Sequence, residues 1–136
     1  MGTDAAEVWG KLVSVVMDSR GDWRRSVSEA TGLPFTRVRA LKRLGEPRTM
    51  ADLADRMGVD APAATVAVND LEARGLVLRR PHPGNRRAKL VELTPAGRRV
   101  LDTVHAVADR PPAGLAALGE DDLAALAALL DRISAP

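Results

Sequence analysis

Residues 76–94 read LVLRRPHPGNRRAKLVELT, and this stretch decides which folds the chain can adopt. Two runs rich in Leu and Val flank a turn made of Pro, His, Gly and Asn, which is the composition of a β-hairpin. Five of the nineteen side chains are Arg or Lys, and Glu92 is the single acid. Because an isolated hairpin is barely stable in water, we expect it to pack on neighbouring helices and to direct its charge toward a partner.

The segment before the hairpin predicts two short helices joined by a tight turn. Thr49 and Asp60 are suited to cap the two helices, and Gly58 lies between them. The second helix repeats apolar residues at spacings of three and four, which gives it a buried face of Ala64, Ala67, Val68 and Leu71. This order of elements is typical of a helix-turn-helix, whose second helix enters the major groove of DNA.

Helical periodicity continues on both sides of this centre. Before it, three helices are predicted, spanning Asp4 to Arg20–Gly21, Asp22 to Thr31, and Pro34 to Leu44. After it, Thr94 and Pro95 begin a helix that ends before Pro111 and Pro112. The predicted fold class is therefore mainly α with a small β-hairpin wing (α+β).

A last predicted helix follows Gly119 and contains the run LAALAALLDRI at 123–133. Its apolar residues recur at helical spacing, and together they form more apolar surface than a free terminal helix would expose. The helix therefore packs either on its own chain or on a second subunit. We expect the second subunit.

Charge is distributed unevenly along the 136 residues, although the net charge is only +2. Residues 74–99 hold eight bases against one acid, whereas residues 100–136 hold six acids against two bases. A basic centre beside an acidic end indicates a directed electrostatic footprint, which is typical of a nucleic-acid-binding surface.

Several function classes are excluded or disfavoured by the residue types present. The chain has no cysteine, which excludes disulfides, thiolate catalysis and cysteine-based zinc sites. His82 and His105 are the only histidines, and neither has a partner at catalytic or metal-binding spacing, so we expect neither an enzyme nor a bound cofactor or metal. No signal peptide and no apolar run of about 18 residues are evident, so we expect a cytoplasmic protein that does not enter membranes.

The run from Leu53 to Arg98 resembles the MarR family of bacterial winged-helix transcriptional regulators. The resemblance is carried by LADRMGVD, by LEARGLV and by a wing with paired arginines that leads into LTPAGR. It implies a single domain over 1–136, with dimerisation helices mainly at 4–31 and 94–135, a winged helix-turn-helix lobe at 34–93 and a wing at 76–93. It also implies a homodimer on pseudo-palindromic double-stranded DNA, usually a repressor that a small apolar or aromatic effector releases.

The resemblance places DNA contacts on the outward face of the second helix of the helix-turn-helix. The candidate residues there are Ala63, Thr65, Val66 and Asn69. Thr65 and Asn69 are the polar members, and Asn69 has the donor and acceptor needed to pair with adenine. The helix predicted from Pro34 to Leu44 carries four basic residues that either add to these DNA contacts or form ordinary helix surface. They are Arg37, Arg39, Lys42 and Arg43.

The wing supplies the remaining candidate DNA contacts. Arg86 is expected to enter the minor groove because it lies nearest the turn. Arg87 either joins it there or braces the wing by pairing with an acid such as Asp55 or Asp70. The phosphate contacts are expected to come from Arg79, Arg80 and Lys89.

Two departures from the family pattern bear on how DNA is read. Gly84 and Asn85 stand where relatives commonly carry two acids, which strengthens attraction to phosphate. Pro62, Ala63 and Val66 stand where relatives usually present Ser, Thr and Arg, so direct base readout is sparse and the wing carries a larger share. The sparse readout leaves a second hypothesis open, a winged-helix protein that acts through protein contacts.

Candidate walls for an effector pocket are the three aromatic residues and two of their neighbours. These are Trp9, Trp23, Arg24, Phe35 and Val38. The same residues could equally belong to the hydrophobic core, and we favour the core because the chain has only three aromatic residues.

Overall fold

The computed structural model describes residues 2–108 and 110–135. Within these residues, helices and a small sheet follow one another in the order α1 Ala5–Thr31, α2 Phe35–Lys42, β1 Arg48–Thr49, α3 Met50–Met57, α4 Ala61–Ala73, β2 Val77–His82, β3 Asn85–Leu93, α5 Pro95–Ala108, α6 Ala113–Ala116 and α7 Glu120–Ser134. The fold class is as expected, mainly helical with a β-hairpin wing, and the order of elements is that of a winged helix-turn-helix.

The N-terminal region forms one long helix, so the predicted break at Arg20–Gly21 is wrong. Gly21 lies inside α1, which is capped by Asp4 at one end and closed by Gly32 at φ 69° at the other. Glycine weakens a helix interior by only about 1 kcal/mol relative to alanine. Burial of Val27 in the core and partial burial of Trp23 hold the second half of α1 in place, so the helix continues through the glycine.

The sheet has three antiparallel strands in the order β1-β3-β2, one more than the hairpin predicted. In the hairpin, Val77 pairs with Leu93, and on the other edge of β3 Arg48 pairs with Val91. A strand of two residues has no alternation of apolar and polar positions to detect in the sequence. The extra strand ties the start of α3 to the wing.

The core joins the second half of α1 to the helix-turn-helix, the sheet and α5. Its fully buried side chains come from every one of these elements and include Val27, Val38, Leu41, Leu53, Leu71, Val91 and Val104. The predicted inward faces of α3 and α4 are confirmed, since Leu53, Met57 and the four apolar positions of α4 are all buried.

A glycine contact fixes the base of the wing against α5. A Cβ atom added to Gly97 would lie 1.9 Å from the carbonyl oxygen of Leu76. Thr94 caps α5, as predicted, by accepting from the amide of Gly97 at 3.0 Å, and its hydroxyl donates to the carbonyl of Gly75 at 2.6 Å. The wing and α5 therefore meet through a close backbone contact and the Thr94 hydroxyl, which leaves little freedom between them.

The first half of α1 and the whole of α7 leave apolar side chains in solvent. Trp9 is 66% exposed, Ile133 is 67% exposed, and α7 has no buried residue. In this structure α7 therefore does not bury its apolar face against its own chain. None of the described helices is both long and apolar enough to cross a lipid bilayer.

Candidate nucleic-acid interface

The exposed face of α4 brings together all four residues that the sequence assigned to it. Asp60 caps the helix by accepting from the amide of Ala63 at 2.8 Å, and Pro62 fits the first turn. Ala63, Thr65, Val66 and Asn69 are exposed, while the opposite face of α4 is buried. Val66 is 58% exposed, so an apolar side chain lies at the centre of this face.

The polar groups on this face are partly occupied within the chain. The hydroxyl of Thr65 donates to the carbonyl of Ala61 at 3.0 Å. The Oδ1 atom of Asn69 accepts from a guanidinium nitrogen of Arg79 on β2. Few polar groups on this face are therefore free to contact a partner.

The wing carries an irregularity just where its arginines lie. Pro81 pairs with Lys89, so a regular ladder would pair His82 with Ala88, but His82 pairs with Asn85. The residues of β3 left without an opposing residue on β2 are Arg86, Arg87 and Ala88. Bulges of this kind bend a strand and re-aim its side chains. Both arginines are exposed at this point.

Three cations of the wing have no ion-pair partner among the residues the structure describes. They are Arg86, Arg87 and Lys89, all exposed. The bracing alternative for Arg87 finds no support, because Asp70 is held by Arg37 and Arg74. These exposed and unpaired cations make the wing a candidate site for a polyanion.

The other two basic residues of the wing are engaged in ion pairs. Arg80 pairs with Glu92 across the sheet at 2.9 Å. Arg79 is only 25% exposed in its side chain and lies 3.3 Å from Glu72 of α4. Contact of either residue with a phosphate would require it to leave or to share its carboxylate partner.

An acid on α4 is neutralised from two sides. Asp70 accepts from Arg37 of α2 at 2.8 Å and from Arg74 at 3.2 Å. The hydrogen bond from Arg37, followed by the one from Arg74, holds the pKa of Asp70 below its usual value. Arg37 is therefore neither a free DNA contact nor ordinary helix surface, because it forms an ion pair with Asp70. The sequence did not predict this ion pair.

A basic cavity of about 400 Å³ lies between α1 and α2. Its lining residues combine cations with aromatic rings and include no acid: Arg20, Trp23, Arg24, Phe35, Arg39, Lys42 and Arg43. The rings of Trp23 and Phe35 meet edge to face with centroids 5.5 Å apart. The guanidinium of Arg24 stands 4.4 Å from the Phe35 centroid, and Lys42 stands 4.8 Å from that of Trp23.

Three of the five predicted effector residues thus line one cavity, and two lie elsewhere. Trp23, Arg24 and Phe35 come together, whereas Val38 is fully buried in the core and Trp9 is exposed on the first half of α1. A larger and more apolar cavity of about 580 Å³ shares Trp23 as a wall and reaches the residues after α5, including Arg110 and Leu115. The indole Nε1 of Trp23 is buried and has no hydrogen-bond partner among the described residues.

Part of the chain is similar in sequence to known proteins. Residues 31–88 match the sequence profile of the MarR family. The HTH-type transcriptional repressor NicR from Pseudomonas putida is 37% identical over 76 residues, which cover 56% of this chain and 48% of NicR. The chain therefore spans about half the length of this curated relative.

Solved structures resemble the chain over nearly its whole length. The transcriptional regulator BldR from Sulfolobus solfataricus is 29% identical with a TM-score of 0.59, covering 93% of this chain and 94% of BldR. A mutant of MarR from Escherichia coli complexed with operator DNA is 22% identical with a TM-score of 0.59, covering 98% of this chain and 100% of that one. The second likeness concerns the fold alone.

Proposed function

We propose that this chain, whose residues 31–88 match the profile of the MarR family, is a dimeric, sequence-specific DNA-binding regulator of transcription, most simply a repressor that a small effector releases. The observation that carries the proposal is the combination, on one lobe, of the exposed face of α4 with the unpaired cations of the wing. NicR is named a transcriptional repressor, which supports the same activity here, and the MarR mutant that was solved on operator DNA shares the fold.

In this proposal α4 is the recognition helix and lies in the major groove, with the wing along the backbone and minor groove. Val66 and the methyl group of Thr65 suit contact with thymine methyls. Arg86 enters the minor groove, and Arg87 and Lys89 contact phosphates. Arg79 and Arg80 add little to binding while they remain paired with Glu72 and Glu92.

The proposal includes a homodimer built on the exposed apolar faces of α1 and α7. Apolar side chains on α7, such as Leu130 and Ile133, are 41% and 67% exposed, and Val15 and Met17 of α1 are 55% and 57% exposed. An apolar surface of this extent favours burial against another protein surface. A second copy gives a symmetric pair of recognition helices, which matches a pseudo-palindromic operator.

The basic aromatic cavity is the proposed effector site. Its rings suit a small aromatic molecule, and its cations, with no lining acid, suit one that carries a negative charge. An occupant that prefers one arrangement of α1 and α2 would shift the lobe that carries α4 and so change DNA affinity.

A second function keeps some support from one observation. The central exposed side chains of α4 are Ala63 and Val66, and the nearby acid Asp70 is neutralised, so this face would also suit an apolar protein partner. Binding of duplex DNA separates the two functions. We place the protein in the cytoplasm, where either partner is accessible.

The proposal is tested by titrating a labelled non-specific duplex at 50 and 200 mM salt with the full chain. Each phosphate contact contributes about −0.9 to the slope of log K against log salt, so we expect a steep loss of affinity. Lys89→Ala should make the slope less steep by about 1, because one phosphate contact is lost. Arg25→Ala removes an exposed charge of α1 outside the wing and should leave the slope unchanged. No binding at 50 mM salt would overturn the DNA-binding function and favour a protein partner.

A further inference from the structure

Asn69 is one of the two polar candidate contacts on the exposed face of α4, and the wing holds its side chain. One guanidinium nitrogen of Arg79 donates to its Oδ1 atom, and the other lies 3.3 Å from Glu72 one turn further along α4. Arg79 itself is fixed in the sheet, where it pairs with Val91. The amide of Asn69 is thus oriented by a strand rather than by its own helix.

This orientation changes which base the amide can read. Pairing with adenine uses both ends of the side chain, because Oδ1 accepts from the N6 amino group while Nδ2 donates to N7. Here Oδ1 already accepts from a cation, and a second donor at the same oxygen would stand beside the positive guanidinium. The free end of the side chain is Nδ2, a pure donor.

Guanine presents the complementary edge. Its O6 and N7 atoms are both acceptors in the major groove, so they attract the Nδ2 donor and the positive charge of Arg79 behind it. We propose that Asn69 reads guanine rather than adenine in each half-site, and that Arg79 acts as a positioning residue that sets this preference. The inference rests on the proposed DNA-binding function and goes beyond it by naming the base and the residue that selects it.

The wing and the recognition helix are then not independent readers. Loss of the Arg79 guanidinium frees Oδ1 of Asn69 and restores the geometry that adenine requires. The conservative replacement Arg79→Lys keeps a cation beside Oδ1 and should keep guanine. Arg80 is the matched control, because it is the next residue and a cation too, yet it pairs with Glu92 and not with Asn69.

The experiment selects binding sites from a random duplex library with the full-length wild type, Asn69→Ala, Arg79→Ala, Arg79→Lys and Arg80→Ala. We expect guanine at one position of each half-site in the wild type, preferred over adenine by roughly tenfold, as expected for one good base contact. Asn69→Ala should remove the preference at that position alone. Arg79→Ala should shift it to adenine, while Arg79→Lys and Arg80→Ala should leave it in place.

The contrary outcomes distinguish failure of this inference from failure of the proposed function. Adenine at the Asn69-dependent position of wild-type sites would overturn this inference and leave the proposed function standing. The same would follow if Asn69→Ala relaxed no position, or if Arg80→Ala shifted the preference as Arg79→Ala does. A wild-type selection that enriched no sequence would overturn the proposed specific DNA binding and this inference together. If Arg79→Ala does not fold, the wild type, Asn69→Ala and Arg79→Lys profiles still decide the base.

Discussion

Arg37 of α2 and Asp70 of α4 form an ion pair with 2.8 Å between Nε and Oδ2, so an acid on the proposed recognition helix is neutralised by a neighbouring helix. An unpaired carboxylate at this position would repel phosphate. The pair also connects the two proposed sites, because α2 lines the basic aromatic cavity through Phe35 and Lys42. Any rotation of α2 that an effector favours would act on α4 through this contact.

The first prediction concerns the pH dependence of stability. The folded pKa of Asp70 lies below the unfolded value of about 3.9, so its ion pairs stabilise the fold fully above that value and are lost as the pH falls through the folded pKa. Asp70→Asn removes this contribution. We expect the Tm difference between wild type and variant to be largest near neutral pH and to shrink below about pH 4. Asp131→Asn, an exposed control on α7, should give a curve parallel to the wild type. A Tm difference that does not change with pH would contradict the assignment.

The second prediction ranks the wing against the recognition helix. Arg86 is exposed and unpaired at the bulge, whereas the hydroxyl of Thr65 is already bonded to Ala61. Arg86→Ala should therefore weaken operator binding by at least about tenfold, and Thr65→Ala by less. Fluorescence anisotropy with a selected operator at fixed salt measures both. The opposite ranking would show that the helix, and not the wing, carries most of the affinity.

The third prediction uses two glycines with opposite surroundings. Gly97→Ala places a methyl group against the Leu76 carbonyl and should destabilise the fold by about 1–3 kcal/mol or more. Gly21→Ala meets nothing within 4 Å in the interior of α1 and should stabilise it by about 0.5–1 kcal/mol. Urea unfolding measures both differences. A destabilised Gly21→Ala variant would argue that α1 is not continuous.

The fourth prediction concerns the proposed dimer. Ile133→Glu places a charge on the apolar face of α7 and should convert the dimer to a monomer, because a buried unpaired charge is unfavourable at such an interface. Sedimentation velocity at several concentrations gives the oligomeric state. Asp131→Lys changes charge on the same helix at a polar position and should leave the dimer intact. A wild type that stays monomeric at high concentration would remove the dimer from the proposed function.

The fifth prediction concerns the effector cavity. Trp9→Phe leaves Trp23 as the only tryptophan, so its fluorescence should report an occupant of the basic aromatic cavity. Small aromatic carboxylates should quench or shift this emission, raise Tm and weaken DNA binding. Lys42→Gln should reduce their affinity by roughly tenfold. Aromatic carboxylates that change none of these signals at millimolar concentration would count against an anionic effector.

Local signals in the sequence predicted much of this fold. Thr49, Asp60 and Thr94 cap helices as expected, because a cap depends on residues only two or three positions apart. The buried face of α4 was predicted because helical spacing of apolar residues survives any tertiary arrangement. The two wing strands followed from their composition and from the turn between them.

Local sequence signals did not predict contacts between residues that lie far apart in the chain. Arg37 and Asp70 are 33 positions apart, and nothing local to either residue indicates the other. The predicted break at Gly21 also hid the cavity, because it separated Arg20 from Trp23 and Arg24, which share one face only in a continuous helix. The bulge of the wing depends on strand register, which a lone sequence does not specify.

The backbone contact between Gly97 and Leu76 has a consequence for how an operator is measured. Since the backbone at Gly97 lies against that of Leu76 and the Thr94 hydroxyl bonds to Gly75, we expect the lobe and α5 to move as one rigid unit. In a dimer, the distance between two recognition helices would then be fixed by how α1 and α7 pack between subunits. Substitutions far from any base, on these terminal helices, would change the preferred number of base pairs between half-sites while leaving the sequence of each half-site unaltered.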